Sequence, residues 1–223
     1  MAFPVTDFAN FACLNPLQRR IELVKFDSYV PNLNYYPLRQ VFDGLFNISA
    51  FEKFQERTNF AHLVNVLLGK ANRKDDVQRG KLVKLNLRAL RALYDWAEEN
   101  EVYGVSEKFG EFLFRIEGGI KPFIDAVIFV KGKPYLVFLD IRGSNYLTPE
   151  GRKFVLSVMH QHIRLRYPDL EEAGLAILHL EKHGDARRVN FLSHDESKPL
   201  YEISMLEEMV REMFEEIAFT KAA

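Results

Sequence analysis

Two long apolar segments separated by a short turn constrain this fold more than any other feature. The segments run from Phe123 to Val130 and from Tyr135 to Ile141, and a Lys-Gly-Lys-Pro turn lies between them. Strands that are buried on both faces have such nearly unbroken apolar runs, and a central glycine is typical of a tight hairpin turn. The sequence therefore predicts a β-hairpin in the middle of a sheet that is covered on both sides.

Helical and strand patterns surround this hairpin. Apolar residues recur at helical spacing from Phe8 onwards and continue through Ile21 and Val24. Pro16 interrupts this stripe, so we expect two short helices, with Asn15 as the N-cap of the second. Further helices are predicted over 81–100, 149–166 and 205–219, and further strands over 105–116, 175–181 and 189–192. This order predicts an α/β fold in which helices flank a central mixed β-sheet, after an N-terminal helical region.

Composition excludes several classes of protein. The chain has 223 residues, of which 48% are apolar and 27% are charged, as in ordinary globular domains. It has no apolar run of the roughly 18 residues that a membrane span needs, and its first residues lack the pattern of a signal peptide. Cys13 is the only cysteine, which excludes a disulfide framework and an iron–sulfur cluster. We therefore expect a cytoplasmic protein without a membrane partner.

Basic residues are concentrated in two zones, although the net charge is only −1. Between Lys70 and Arg91 there are eight Lys or Arg and two Asp, and between Lys131 and Arg166 there are seven basic and two acidic residues. Such zones are typical either of phosphate-binding surfaces or of solvated helix faces. Under the first interpretation, the nucleic-acid contacts would be Arg152, Lys153 and Arg164.

One aspartate interrupts each strand of the hairpin. The expected turn has Gly132 and Lys133 at its centre. In that register Asp125 lies directly opposite Asp140, with Cβ atoms about 4.5–5.5 Å apart, and Arg142 points to the same face. Adjacent carboxylates repel each other and require a cation. A hard divalent ion such as Mg²⁺ or Mn²⁺ is one solution, and the guanidinium of Arg142 is the other.

The residues around this hairpin resemble the signature of the PD-(D/E)XK nuclease superfamily, in particular its RecB-like branch. The motif residues are Asp125, the tripeptide Asp140-Ile141-Arg142 and, on the following helix, Gln161. The resemblance is strongest over 107–181. It implies a restriction-endonuclease-like fold, with 1–100 as the helical N-terminal region and 101–223 as the nuclease core.

The resemblance also implies a mechanism, namely metal-dependent hydrolysis of phosphodiester bonds in nucleic acid, with DNA favoured over RNA. One or two Mg²⁺ or Mn²⁺ ions would be held by Asp125, Asp140, the carbonyl of Ile141 and, from an upstream helix, His62. Arg142 would stabilise the charge that develops on the phosphate, and Gln161 would orient the substrate or a metal-bound water.

The sequence departs from the nuclease motif at two positions. Arg142 stands where the family has lysine, and arginine stays protonated, so it cannot accept a proton. Leu165 stands where the family has a tyrosine, four residues after Gln161. Two other hypotheses therefore stay open. In the first, the domain is an inactive member of the fold that binds nucleic acid or a protein partner in a larger complex. In the second, it is an enzyme subunit or regulatory domain in which the Asp–Arg cluster is a structural ion pair.

Overall fold

The computed structural model describes residues 5–27, 35–48, 58–71, 76–105, 107–115, 119–142 and 146–222. The helices are α1 (Val5–Ala12), α2 (Pro16–Asp27), α3 (Tyr36–Arg39), α4 (Phe42–Leu45), α5 (Phe60–Lys70), α6 (Asp76–Glu99), α7 (Pro149–Arg166) and α8 (Ile203–Ala222). The strands are β1 (Tyr103–Val105), β2 (Phe112–Leu113), β3 (Gly119–Ile120), β4 (Ala126–Val130), β5 (Lys133–Asp140), β6 (Gly174–His183) and β7 (Ala186–Ser193). A short 3-10 helix (Pro168–Leu170) follows α7.

Five strands form a mixed sheet in the order β1-β4-β5-β6-β7. Neighbouring strands are antiparallel except β5 and β6, which are parallel. Helix α7 connects these two, as a parallel pair requires a crossover. β2 and β3 pair separately as a small antiparallel ribbon. The predicted α/β class, with a mixed sheet flanked by helices after a helical N-terminal region, is confirmed.

Each face of the sheet packs against its own set of helices. Phe138 and Ile177 face a core built with α1, α7 and α8, which we call the α7 face. Leu139 and Leu178 alternate with them and face a core built with α3 to α6, which we call the α6 face. Because successive strand residues point to opposite faces, a strand covered on both sides must be apolar throughout. This explains the apolar runs of the hairpin.

The hairpin turn differs from the predicted one. Val130 pairs with Lys133, so the two central turn residues are Lys131 and Gly132, with φ of 50° and 79°. Positive φ at both central residues defines a type I′ turn, whose twist matches that of the flanking strands. The prediction that Gly132 and Lys133 form the centre is wrong, and the strand register is displaced by two residues.

The strand predicted over 105–116 is also wrong. Among the described residues of this stretch, only Val105 of β1 and the two residues of β2 are in strands, and these two strands belong to different sheets. Strand β4 begins at Ala126 rather than near Phe123, because Phe123 has a φ of 61°, which interrupts an extended chain. The strands predicted over 175–181 and 189–192 are confirmed within the longer β6 and β7.

The N-terminal stripe divides at Pro16 as expected. Asn15 caps α2, since its Oδ1 accepts the backbone N–H of Gln18 at 2.9 Å. The face of α2 that is buried contains Arg19 and Leu23, whereas the apolar positions Leu17, Ile21 and Val24 are exposed. Among the described residues, no helix combines the length and the apolar character needed to cross a membrane.

Candidate functional site

The side chain of Asp125, just before β4, is buried and is neutralised by two cations. Its Oδ1 accepts hydrogen bonds from Arg39 Nη1 at 2.8 Å and from Lys121 Nζ at 3.1 Å. Its Oδ2 accepts the backbone N–H of Leu139 at 2.8 Å. Burial alone would raise the pKa of this carboxyl, but Arg39 and Lys121, together with the Leu139 N–H, outweigh burial and lower the pKa below its usual range. Both oxygens of Asp125 are thus bound by groups of the protein itself.

Asp140 is the last residue of β5 and lies in a different environment. Its Oδ2 accepts the backbone N–H of Leu147 at 2.9 Å and lies 3.4 Å from Nδ1 of His179, the residue that pairs with Asp140 on β6. Its buried Oδ1 has no hydrogen-bond partner among the described residues. Asp140 therefore has one carboxylate oxygen available to a ligand.

The two aspartates are not the cross-strand neighbours that we predicted. In the observed register Ala126 pairs with Val137, and the N–H of Asp125 donates to the carbonyl of the same Val137 at 2.8 Å. Asp125 is therefore displaced along the hairpin from Asp140. The physical cause is the position of the turn, because centring it on Lys131 and Gly132 instead of Gly132 and Lys133 moves the pairing by two residues while keeping the same side chains on each face.

In the described part of the chain, Arg142 forms its ion pair with neither aspartate of the predicted pair. Its Nη1 donates to Asp7 Oδ1 on α1 at 2.8 Å, and this ion pair connects the end of β5 to the N-terminal helix. The side chain of Ile141 is buried on the α6 face. The structural ion pair that the sequence left open for Arg142 exists, but its partner is Asp7 rather than Asp125 or Asp140.

Gln161 connects α7 to the segment that precedes α8. Its Nε2 donates to the carbonyl of Tyr201 at 3.5 Å, and the Ser157 hydroxyl accepts the Tyr201 N–H at 2.9 Å. One helical turn before Ser157, Lys153 Nζ lies 4.3 Å from the centre of the Tyr201 ring. These contacts hold the chain against α7, so in the described structure Gln161 contacts the protein backbone.

The other predicted residues are spread over the molecule. Arg152 and Lys153 lie in the first turns of α7 and Arg164 in its last turn, roughly 17 Å along the helix. His62 is exposed on α5, whose buried side chains face the α6 side of the sheet, opposite to Asp140. Among the described residues, no group of three or more His, Cys, Asp or Glu is placed to hold a metal ion. The predicted Mg²⁺ or Mn²⁺ ion stays a prediction.

Sequence reasoning missed four residues of these networks. One of them, Lys121, had a local signal, since it lies four residues before Asp125. His179, Asp7 and Arg39 had none, because their contacts depend on the pairing of β5 with β6 and on how the N-terminal helices pack against the sheet.

Comparison with known proteins decides the family. The model of the family described as "Sliding clamp-binding bacterial toxin SocB" matches residues 6–217. The chain belongs to the SocB family. A curated relative, the DNA replication inhibitor toxin SocB of Caulobacter vibrioides (strain NA1000 / CB15N), is 27% identical over 214 residues, which are 95% of this chain and 86% of the relative. No solved structure matches the chain.

Membership of the SocB family corrects two predictions. The assignment to the PD-(D/E)XK superfamily is wrong, since the family match covers nearly the whole chain and is to SocB. The nuclease function inferred from that resemblance is wrong for the same reason, and the metal-binding site that it implied is not assembled among the described residues. Short motifs such as Asp125 and Asp140-Ile141-Arg142 occur here as parts of separate ion-pair and hydrogen-bond networks.

Proposed function

We propose that this protein binds a bacterial sliding clamp and inhibits DNA replication through that contact. The observation that supports this most strongly is the extent of the family match. It spans residues 6–217 and so includes the helices on both faces of the sheet as well as the sheet itself. The whole architecture described above is therefore common to a family described by its binding to the clamp.

The geometry of the charged residues is consistent with a binding protein. Asp125 is held by Arg39 and Lys121, and Arg142 is held by Asp7. These pairs join separate elements of the fold, so the residues of the predicted catalytic cluster have a structural role. The target is a cytoplasmic protein of the replication machinery, so the proposal also places this chain in the cytoplasm.

Binding can be measured with purified components. The protein is immobilised, and the sliding clamp of the host bacterium is passed over it in biolayer interferometry. We expect saturable binding of the clamp. A duplex DNA without the clamp is the control and should give no comparable signal. A clamp that fails to bind at micromolar concentration would contradict the proposal.

The effect on replication needs a separate assay. A clamp-dependent polymerase extends a primed single-stranded template in the presence of the protein, with and without the loaded clamp. We expect inhibition only of the clamp-dependent synthesis, and relief when excess clamp is added. Equal inhibition with and without the clamp would show a different target.

A further inference from the structure

A cavity of about 360 Å³ lies at the carboxyl end of β5, beside the middle of β6 and β7 and the first turn of α7. β5 and β6 are the parallel pair of the five-stranded sheet, and α7 is the crossover between them. In open α/β sheets, ligands bind in the crevice outside the carboxyl ends of parallel strands. The volume is that of a pocket for a small metabolite.

Two buried polar atoms on residues that line this cavity have no hydrogen-bond partner among the described residues. They are Oδ1 of Asp140 and Nε of Arg152, whereas Nδ1 of His179 lies 3.4 Å from Oδ2 of Asp140. Asp140 is 2% exposed as a residue. A buried polar group without a partner costs about 1–3 kcal/mol, and proteins leave few such groups. Their convergence on one cavity indicates a site that is completed by something bound in it.

The charges around the cavity are balanced. Asp140 and Glu181 are acidic, and Arg152 and Lys182 are basic. Such a lining favours neither a simple anion nor a simple cation. It favours a molecule that carries both a positive and a negative charge. We propose that the cavity binds a free α-amino acid or a similarly small zwitterion, with its ammonium group on Asp140 Oδ1 and its carboxylate towards Arg152.

The hydrogen bonds of Asp140 select the cationic group. A guanidinium, or the edge of a guanine base, engages a carboxylate through both oxygens. Here Oδ2 already accepts the N–H of Leu147, and Oδ1 is the oxygen without a partner among the described residues. An ammonium group is a compact charge that can direct one of its three N–H groups at Oδ1 without engaging the second oxygen, and it therefore fits better.

The mouth of the cavity has polar and aromatic groups that fit a small ligand. Asn190 Nδ2 donates to Glu181 Oε2 at 3.0 Å, which fixes both side chains across β6 and β7. The Tyr146 ring lies 4.9 Å from the His179 ring and is half exposed. Tyr146 thus contributes an aromatic surface to the lining of the cavity.

The test uses the purified full-length protein without any clamp, so its result is independent of the function proposed above. Each protein amino acid is added separately at millimolar concentration, and unfolding is followed by differential scanning fluorimetry. At least one should raise Tm by about 2 °C or more. Binding of that amino acid is then measured by titration calorimetry, and the measurement is repeated with the matching decarboxylated amine and with the N-acetyl derivative. Both should bind at least about tenfold more weakly than the zwitterion.

Two variants locate the binding. Asp140→Asn keeps the shape of the side chain and an oxygen that can accept the Leu147 N–H. Arg152→Gln keeps most of the aliphatic part of the arginine side chain. If Asp140→Asn folds poorly, Arg152→Gln tests the site in its place. Each should weaken binding at least about tenfold. Arg164→Gln, on the same helix but exposed and distant, should bind normally. A cavity filled only by water, with no amino acid that shifts Tm or gives heat, would overturn the proposal. Binding that is unchanged in both cavity variants would do so as well.

Discussion

At the scale of single residues, the packing around His162 determines how the fold responds to pH. His162 is completely buried on α7 and is surrounded by the rings of Phe109, Phe112 and Tyr167. Its ring nitrogens have no hydrogen-bond partner among the described residues. Burial, with a smaller contribution from Arg166, lowers the pKa of His162 from 6.5 to about 4. The folded protein therefore holds this imidazole neutral.

This pKa predicts a loss of stability in mild acid. Between pH 6.5 and about 4 the unfolded chain binds a proton at His162 that the folded chain excludes, so the free energy of unfolding falls as pH falls through this window. We expect the titration of His162 to lower the free energy of unfolding by about 2 kcal/mol between pH 7 and pH 5. Urea unfolding at both pH values measures the change. In His162→Leu the difference should shrink by that amount, and an unchanged pH dependence would disprove the assignment.

The ion pairs of Asp125 predict a loss of stability in the same direction, as pH falls, but at lower pH. Asp125→Asn leaves Arg39 and Lys121 without their shared carboxylate, and we expect a loss of about 2 kcal/mol at pH 7, less than for a fully buried pair because both cations are partly exposed. A carboxyl with a lowered pKa stabilises above its unfolded pKa and loses this effect as pH falls through the folded value. The difference in the free energy of unfolding between wild type and Asp125→Asn should therefore begin to close below about pH 4. The exposed Asp169→Asn is the control and should stay within about 0.5 kcal/mol.

At the scale of elements, the turn between β4 and β5 sets the register of the central hairpin. Lys131 adopts a left-handed conformation, which costs a non-glycine residue about 1–2 kcal/mol, and asparagine tolerates it better. We expect Lys131→Asn to stabilise the protein by about 0.5–1 kcal/mol. Lys133→Asn, in β5, should be neutral or destabilising. Thermal unfolding measures both, and a gain at Lys133 instead of Lys131 would indicate the other register.

This turn shows where sequence reasoning reached its limit. The apolar segments on each side of Gly132 were sufficient to predict a hairpin buried on both faces. They could not decide between two registers that differ by two residues, because such a shift leaves every side chain on the same face. The metal site that we predicted between the two carboxylates depended on that register, since it required Asp125 opposite Asp140.

The N-terminal helices show a second limit. Pro16 and Asn15 mark the start of α2 through local chemistry, and both predictions are confirmed. Apolar spacing also predicted a stripe through Ile21 and Val24, yet these side chains are exposed. The buried face contains Arg19 instead, whose guanidinium donates to the carbonyls of Phe11, Ala12 and Leu14 and to Glu212 of α8. Periodicity identifies a face, and only tertiary contacts decide whether it is covered.

At the scale of the whole molecule, the helices of the first hundred residues cover both faces of the sheet. On the α6 face, all the packed helices, α3 to α6, precede β1. On the α7 face, α1 packs against α7 and α8, and the Arg142–Asp7 pair joins α1 to the end of β5. The division of the chain into 1–100 and 101–223 stays a prediction. These contacts indicate that the second part depends on the first for its stability.

The two parts can be produced separately to test this dependence. Alone, 101–223 would expose the α6 face of the sheet, formed by Ala126, Ile128, Val137, Leu139, Ala176, Leu178 and Leu180. An exposed apolar surface of this kind favours aggregation, so we expect this fragment to be insoluble or to lack a cooperative thermal transition. Co-expression with 1–100 should restore a soluble complex, because the helices can then cover both faces. A fragment 101–223 that unfolds cooperatively by itself would show instead that β1 to β7 with α7 and α8 form an independent domain, to which the N-terminal helices are added.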